Sequence, residues 1–122
     1  MKSIILSILC LLCIACTRSH PPQYYKTHPH ELQLMLEQKC VINTASITNN
    51  CAALMNIAQQ INQLAYELQL NPQLFGQKIL HLQMTLSKQI HEHIEVSVIN
   101  HTQQHLDIML AMVKWLESPG IK

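Results

Sequence analysis

Histidine and cysteine are the side chains here that could do chemistry, and their spacing says which chemistry each suits. His81, His91, His93, His101 and His105 crowd the last third of the chain. His101 and His105 stand four residues apart, a step that on a helix would let two imidazoles share one metal. Glu95 follows His91 by the same step. The run His91-Glu92-His93-Ile94-Glu95 opens like the zinc-protease pattern H-E-x-x-H, but its fifth residue is Glu95, and a helix turns His93 away from His91. These histidines accompany Gln, Lys and Glu, as residues of a solvated helix face do, so no metal site is expected. Met84, Met109 and Met112 would suit copper. Spaced within Leu-rich stripes, they read as core filler instead. No Ser-His-Asp set, carboxylate pair or phosphate-cradling glycine loop can be assembled. The chain is therefore expected to be no enzyme, with no cofactor and no small-molecule substrate.

The cysteines fall into two groups. Met1-Lys2-Ser3 is a short charged start, and Ile4 to Ala15 is an apolar run interrupted only by Ser7. That run is too short for ~30 Å of hydrocarbon, which takes roughly 20 residues. It has the length of a signal-peptide core. It ends in Cys13-Ile14-Ala15-Cys16, which resembles a bacterial lipobox with Cys13 where Leu is usual. By that likeness residues 1–15 are a lipoprotein-type signal peptide and Cys16 is lipidated. Simple cleavage after Ala15 and a buried N-terminal helix without export are the other readings. Export removes Cys10 and Cys13 and places lipid on Cys16. Cys40 and Cys51 then remain, and an oxidising compartment favours a disulfide between them. The alternatives are two unpaired buried thiols, or a zinc site that lacks the usual C-x-x-C pairs.

The chain beyond residue 15 is long enough for one small domain and too short for two. The whole sequence has eight Lys and Arg against seven Asp and Glu, and loss of Lys2 makes the exported part formally neutral. No basic patch suggests nucleic acid. Two glycines, one Phe and one Trp in 122 residues suit helices and argue against a β-sandwich.

Those residues must be positioned by helices. Residues 16–23, with Pro21 and Pro22, read as an extended tether that lifts the domain off a membrane, with His20 solvated. Residues 24–122 read as a single helical domain. Pro29 suits a first helical position and Glu31 the first turn, with Thr27 or His28 as cap. Leu32, Leu36 and Cys40, with Met35 beside them, form one stripe, onto which Tyr24 and Tyr25 can staple. The amide- and hydroxyl-rich residues 41–50 form a loop, with Asn49 or Asn50 capping the next helix. That second helix is expected from about Cys51 to Leu70 on the stripe Leu54, Ile57, Ala58, Ile61, Leu64, Ala65, Leu68. Asn71 as cap and Pro72 as first residue restart the chain. The third helix carries Leu74, Phe75, Ile79, Leu82, Leu86, Ile90 and Ile94, and Gly76 in its first turn would allow close approach of another backbone. The helical step persists through Val98, Thr102, Leu106, Met109, Val113 and Leu116. One long, bent helix to Glu117 is preferred over a break near Asn100 with Thr102 as a new cap. Trp115 either touches a membrane interface or closes the bundle. Ser118-Pro119-Gly120 ends the helix. The fold class is all-α, a small hairpin or bundle of three to four helices.

One stretch carries a resemblance. Cys16, then Tyr24-Tyr25-x-x-His28-Pro29-x-Glu31-Leu32, then Cys40 and Cys51, is similar to the EexN-type entry exclusion lipoproteins encoded with conjugative systems. The likeness spans about residues 16–53, and the long helical extension after Cys51 departs from it. It implies a lipid-anchored protein of the bacterial envelope, facing the periplasm, that blocks redundant conjugative transfer. The implied partner is a channel component of a type IV secretion system, met through Tyr24, Tyr25, His28, Pro29 and Glu31. Thr17 after Cys16, where Asp would retain a lipoprotein in the inner membrane, points to the outer membrane. The alternative is a helical periplasmic scaffold or a His-rich metal-binding lipoprotein.

Overall fold

Two of the helices open on a proline, where a missing N–H costs nothing and φ is already helical. The computed structural model describes residues 20–40 and 49–118, so the expected signal peptide and Cys16 lie outside the described residues. A 3₁₀ turn at Pro22–Lys26 leads into α1 (Pro29–Met35), whose chain continues as a π turn at Leu36–Cys40. Then come α2 (Asn49–Leu70), α3 (Pro72–His91) and α4 (Val96–Glu117). The described residues thus form an all-α bundle without strands.

The core gathers the expected stripes. Leu54, Ile57 and Ile61 of α2 pack with Leu32 of α1, Phe75 of α3, and Met109 and Met112 of α4. Tyr25 enters the same cluster, so the aromatic staple forms. Phe75, Met109 and Met112 are the largest side chains fully withdrawn from water. Met84, expected inside with the other two, is exposed, because it lies on a face of α3 that no other helix among the described residues covers. Trp115 closes the bundle beside α1 and α2, its ring half-buried. Its Nε1 is shut from solvent with no acceptor among the described residues.

Asn71 caps α3, its side-chain oxygen accepting from Leu74 N at 2.9 Å. Lys78 reaches back across this corner to Glu67 of α2 at 2.9 Å. Both groups are largely solvated, so the pair adds at most about 1 kcal/mol.

Several expectations need correction. The long helix does not run to Glu117: α3 stops at His91 and α4 starts at Val96. Nor does the break fall near Asn100, and Thr102 is a buried mid-helix residue whose hydroxyl donates to Val98 O at 3.1 Å. The stop is a left-handed turn at His93, φ 55°. Ile94 N donates to Gln89 O at 3.0 Å and His93 N to Ile90 O at 3.3 Å, the 6→1 and 5→2 pair of a Schellman ending. Ile94 therefore leaves the third-helix stripe. Asn49 and Asn50 lie inside α2. No neighbouring backbone approaches Gly76; a Cβ there would meet nothing within 4 Å among the described residues. The tether's last residues are not extended, because Pro22 and Gln23 belong to the 3₁₀ turn.

Candidate functional site

The block from His20 to Glu31 is built from the backbone outward. Pro21 is extended at φ −61°, ψ 151°, and Tyr24 N donates to its carbonyl at 3.0 Å, closing the 3₁₀ turn. Thr27 N and His28 N then donate to Tyr24 O and Tyr25 O at 3.3 and 3.2 Å. Four residues per step on this tight path bring three rings into register. His20 stacks on Tyr24 at 3.9 Å between centroids and 16° between planes. His28 stacks on Tyr24 at 3.8 Å and 9°. Tyr25 meets Tyr24 edge-on at 5.5 Å and 85°, a geometry the ring quadrupole favours.

Polar contacts lock this pile to α1. The Tyr24 hydroxyl donates to Glu31 Oε1 at 3.1 Å. The Thr27 hydroxyl donates to the Tyr24 carbonyl at 3.2 Å. His28 Nδ1 lies 2.9 Å from the same carbonyl, a contact that needs the proton on Nδ1. His28 holds the cap position of α1, yet its side chain turns back to Tyr24 instead of capping, and Thr27 is not the cap residue. Burial, the hydrogen bond to Glu31 and the charge of that carboxylate together raise the Tyr24 hydroxyl above the ordinary phenol range.

The five residues expected to meet a partner thus separate. Tyr25 is only 3% exposed and Pro29 is buried, so both belong to the core and support the block from beneath. Tyr24, His28 and Glu31 are half-buried and keep an outward edge. His20 joins them instead of being merely solvated. Its place was legible in the sequence, since His20, Tyr24 and His28 succeed one another at four-residue steps.

The disulfide lies directly behind. Cys40 and Cys51 are joined with Cα atoms 5.7 Å apart, inside the usual range for a bridge. Cys51 is buried at the start of α2, and Cys40 is half-buried at the end of the π turn. A cleft of about 410 Å³ separates the proline turn from the bridge, lined by His20, Pro22, Tyr25, Met35, Cys51 and Leu54. The result is a surface of flat rings beside one carboxylate.

The histidines of the last third sit elsewhere. His81, His91, His93, His101 and His105 are all exposed. No group of three or more His, Cys, Asp or Glu side chains able to hold a metal occurs among the described residues. His91 ends α3 while Glu95 sits at the N-cap position of α4 with no side-chain capping bond, so their four-residue step is not a shared helix face. No helix among the described residues is long and apolar enough to cross a membrane. Comparison with protein-family models, with curated proteins and with solved structures finds no match.

Proposed function

We propose that this protein is an envelope lipoprotein of the entry exclusion kind, anchored through Cys16, facing the periplasm, with no chemistry of its own. It acts by touching a channel component of a conjugative type IV secretion system and so prevents redundant transfer into the cell that carries it. One observation supports the reading most: the stretch that resembles the EexN-type proteins, Tyr24 to Glu31, forms a single interlocked unit. His28 and Glu31 both engage Tyr24, by stacking at 3.8 Å and by a hydrogen bond of 3.1 Å. A surface ordered in advance loses less freedom on binding, so more of its contact energy appears as affinity. Tyrosine suits such a surface, with a broad apolar ring and a polar tip.

The test is a mating assay with recipients that express the intact protein, an empty vector or a Tyr24→Ala/His28→Ala variant. Variant abundance and helicity are checked alongside, because both side chains also hold the helix start. Transfer should fall only with the intact protein, and only from donors that carry the matching conjugative system. Unchanged transfer from every related donor would rule out exclusion and leave the scaffold role in its place.

A further inference from the structure

The disulfide ends a stretch of chain with little other hold on the bundle. Leu32 is buried, but no residue from Gln33 to Cys40 is. In the π turn, Leu36 and Cys40 are half-buried, and Glu37, Gln38 and Lys39 are exposed. The turn contains neither proline nor glycine, and Leu, Glu, Gln and Lys rank among the better α-formers. A π turn is rare and tends to mark a functional site, and local preference does not account for this one. The constraint on its far end is the bond from Cys40 to Cys51.

The two sulfurs face different clefts. Cys40 lines one of about 750 Å³ between the π turn and α2, together with Leu36, Ala52 and Met55. Cys51 is only 7% exposed and shares the smaller cleft with Lys39. Thiol–disulfide exchange requires access to the sulfur that is attacked and a leaving sulfur that tolerates charge. Cys40 meets the first requirement. Cys51 meets the second, with a lysine in its cleft and its place at the start of α2.

We propose that the Cys40–Cys51 bridge is a redox switch, opened by an external dithiol that attacks Cys40, and that opening it releases the π turn from α2. A thiolate of the dithiol attacks Cys40 Sγ and forms a mixed disulfide. The Cys40–Cys51 bond breaks, and its electron pair leaves on Cys51 Sγ, which takes up a proton. The second thiol of the reductant then attacks its own sulfur in the mixed disulfide, and Cys40 leaves and is protonated in turn. The dithiol ends as a disulfide, having given up two electrons and two protons, and the chain ends with two thiols. Leu36 lines both the large cleft and the one beside Trp115, so its release reshapes both. Tyr25, Pro29 and Leu32 are buried independently of the bridge and keep α1 docked.

The experiment uses the full oxidised chain, purified from its own cell, without denaturant. Excess glutathione is added, exchange is quenched with acid, and the peptides are mapped by mass spectrometry. Glutathione should be found on Cys40 several-fold more than on Cys51. Dithiothreitol should open the bridge at a rate that subdenaturing urea does not raise. Amide hydrogen exchange at residues 37–40 should then quicken by about tenfold, while that at residues 57–61 stays unchanged. Cys40→Ser/Cys51→Ser should show the same exchange pattern with no reductant. Glutathione chiefly on Cys51, reduction only where urea unfolds the chain, or unaltered exchange in the π turn would overturn the proposal. So would loss of protection throughout α2, α3 and α4 on reduction, which would make the bridge a staple of the whole fold. No transfer assay enters, so the switch is judged apart from the exclusion role.

Discussion

The Tyr24 hydroxyl donates a hydrogen bond to Glu31 and is harder to ionise than a free phenol. Burial raises its pKa first, and the hydrogen bond and charge of Glu31 raise it further. The linkage has a definite sign. A group whose pKa is higher in the folded state than in the unfolded one stabilises the fold below the unfolded phenol value of about 10. That contribution is lost as pH rises through the folded value. Glu31→Gln keeps an acceptor but removes the charge. It should lower the pH at which Tyr24 ionises, followed as the ring-carbon shift of Tyr24 in an NMR titration. An unmoved midpoint would show that the carboxylate does not govern this hydroxyl. His20 and His28 present the same lesson in stacking, since two imidazoles hold the faces of one phenol that polarity alone would assign to water.

The Schellman ending of α3, made without glycine, forces a side chain into the left-handed conformation. His93 does so at φ 55°, where a Cβ costs on the order of 1–2 kcal/mol. Its Nδ1 lies 3.2 Å from Ile90 O, which returns part of that cost. His93→Gly should raise stability by roughly 0.5–1 kcal/mol, the relief of strain being partly offset by a freer unfolded chain. Urea denaturation measures it, and a variant less stable than the natural chain would refute the strain argument. This turn also explains what the sequence could not disclose. Asn71-Pro72 announced its break through a cap oxygen and a fixed φ, and the structure places both as expected. Between Glu92 and Glu95 there is neither glycine nor proline, and the apolar step passes through unbroken, so only the backbone reveals the corner. The stripe Leu54, Ile57, Ile61 was legible because α2 packs a single face. The exposure of Met84 was not, because spacing alone does not say where a covering helix ends. In the candidate site, spacing likewise left Tyr25 and Tyr24 equivalent, and only packing separates the buried ring from the one at the surface.

Across the molecule, a covalent link ties residues 20–40 to the bundle. The Cys40–Cys51 bridge joins the end of the π turn to the start of α2. The block otherwise holds on through Tyr25, Pro29 and Leu32. An α1 of seven residues is too short to persist alone in water. In the chain-entropy account, closing so short a loop contributes about 3 kcal/mol. That is a large fraction of what a small domain possesses. Cys51→Ala should therefore lower unfolding stability by about that amount, and reductant should do the same to the natural chain. Equal denaturation midpoints with and without reductant would show that packing alone suffices.

The stacking of His20 on Tyr24 fixes the near end of any span to Cys16. If lipid sits on Cys16, only residues 17–19 lie between it and His20, whose imidazole stacks on Tyr24 of the folded body. Four Cα steps reach at most about 14 Å even when fully stretched. The domain would then ride close against the headgroups, with little room to wander, and whatever it meets would have to come to the membrane to be met.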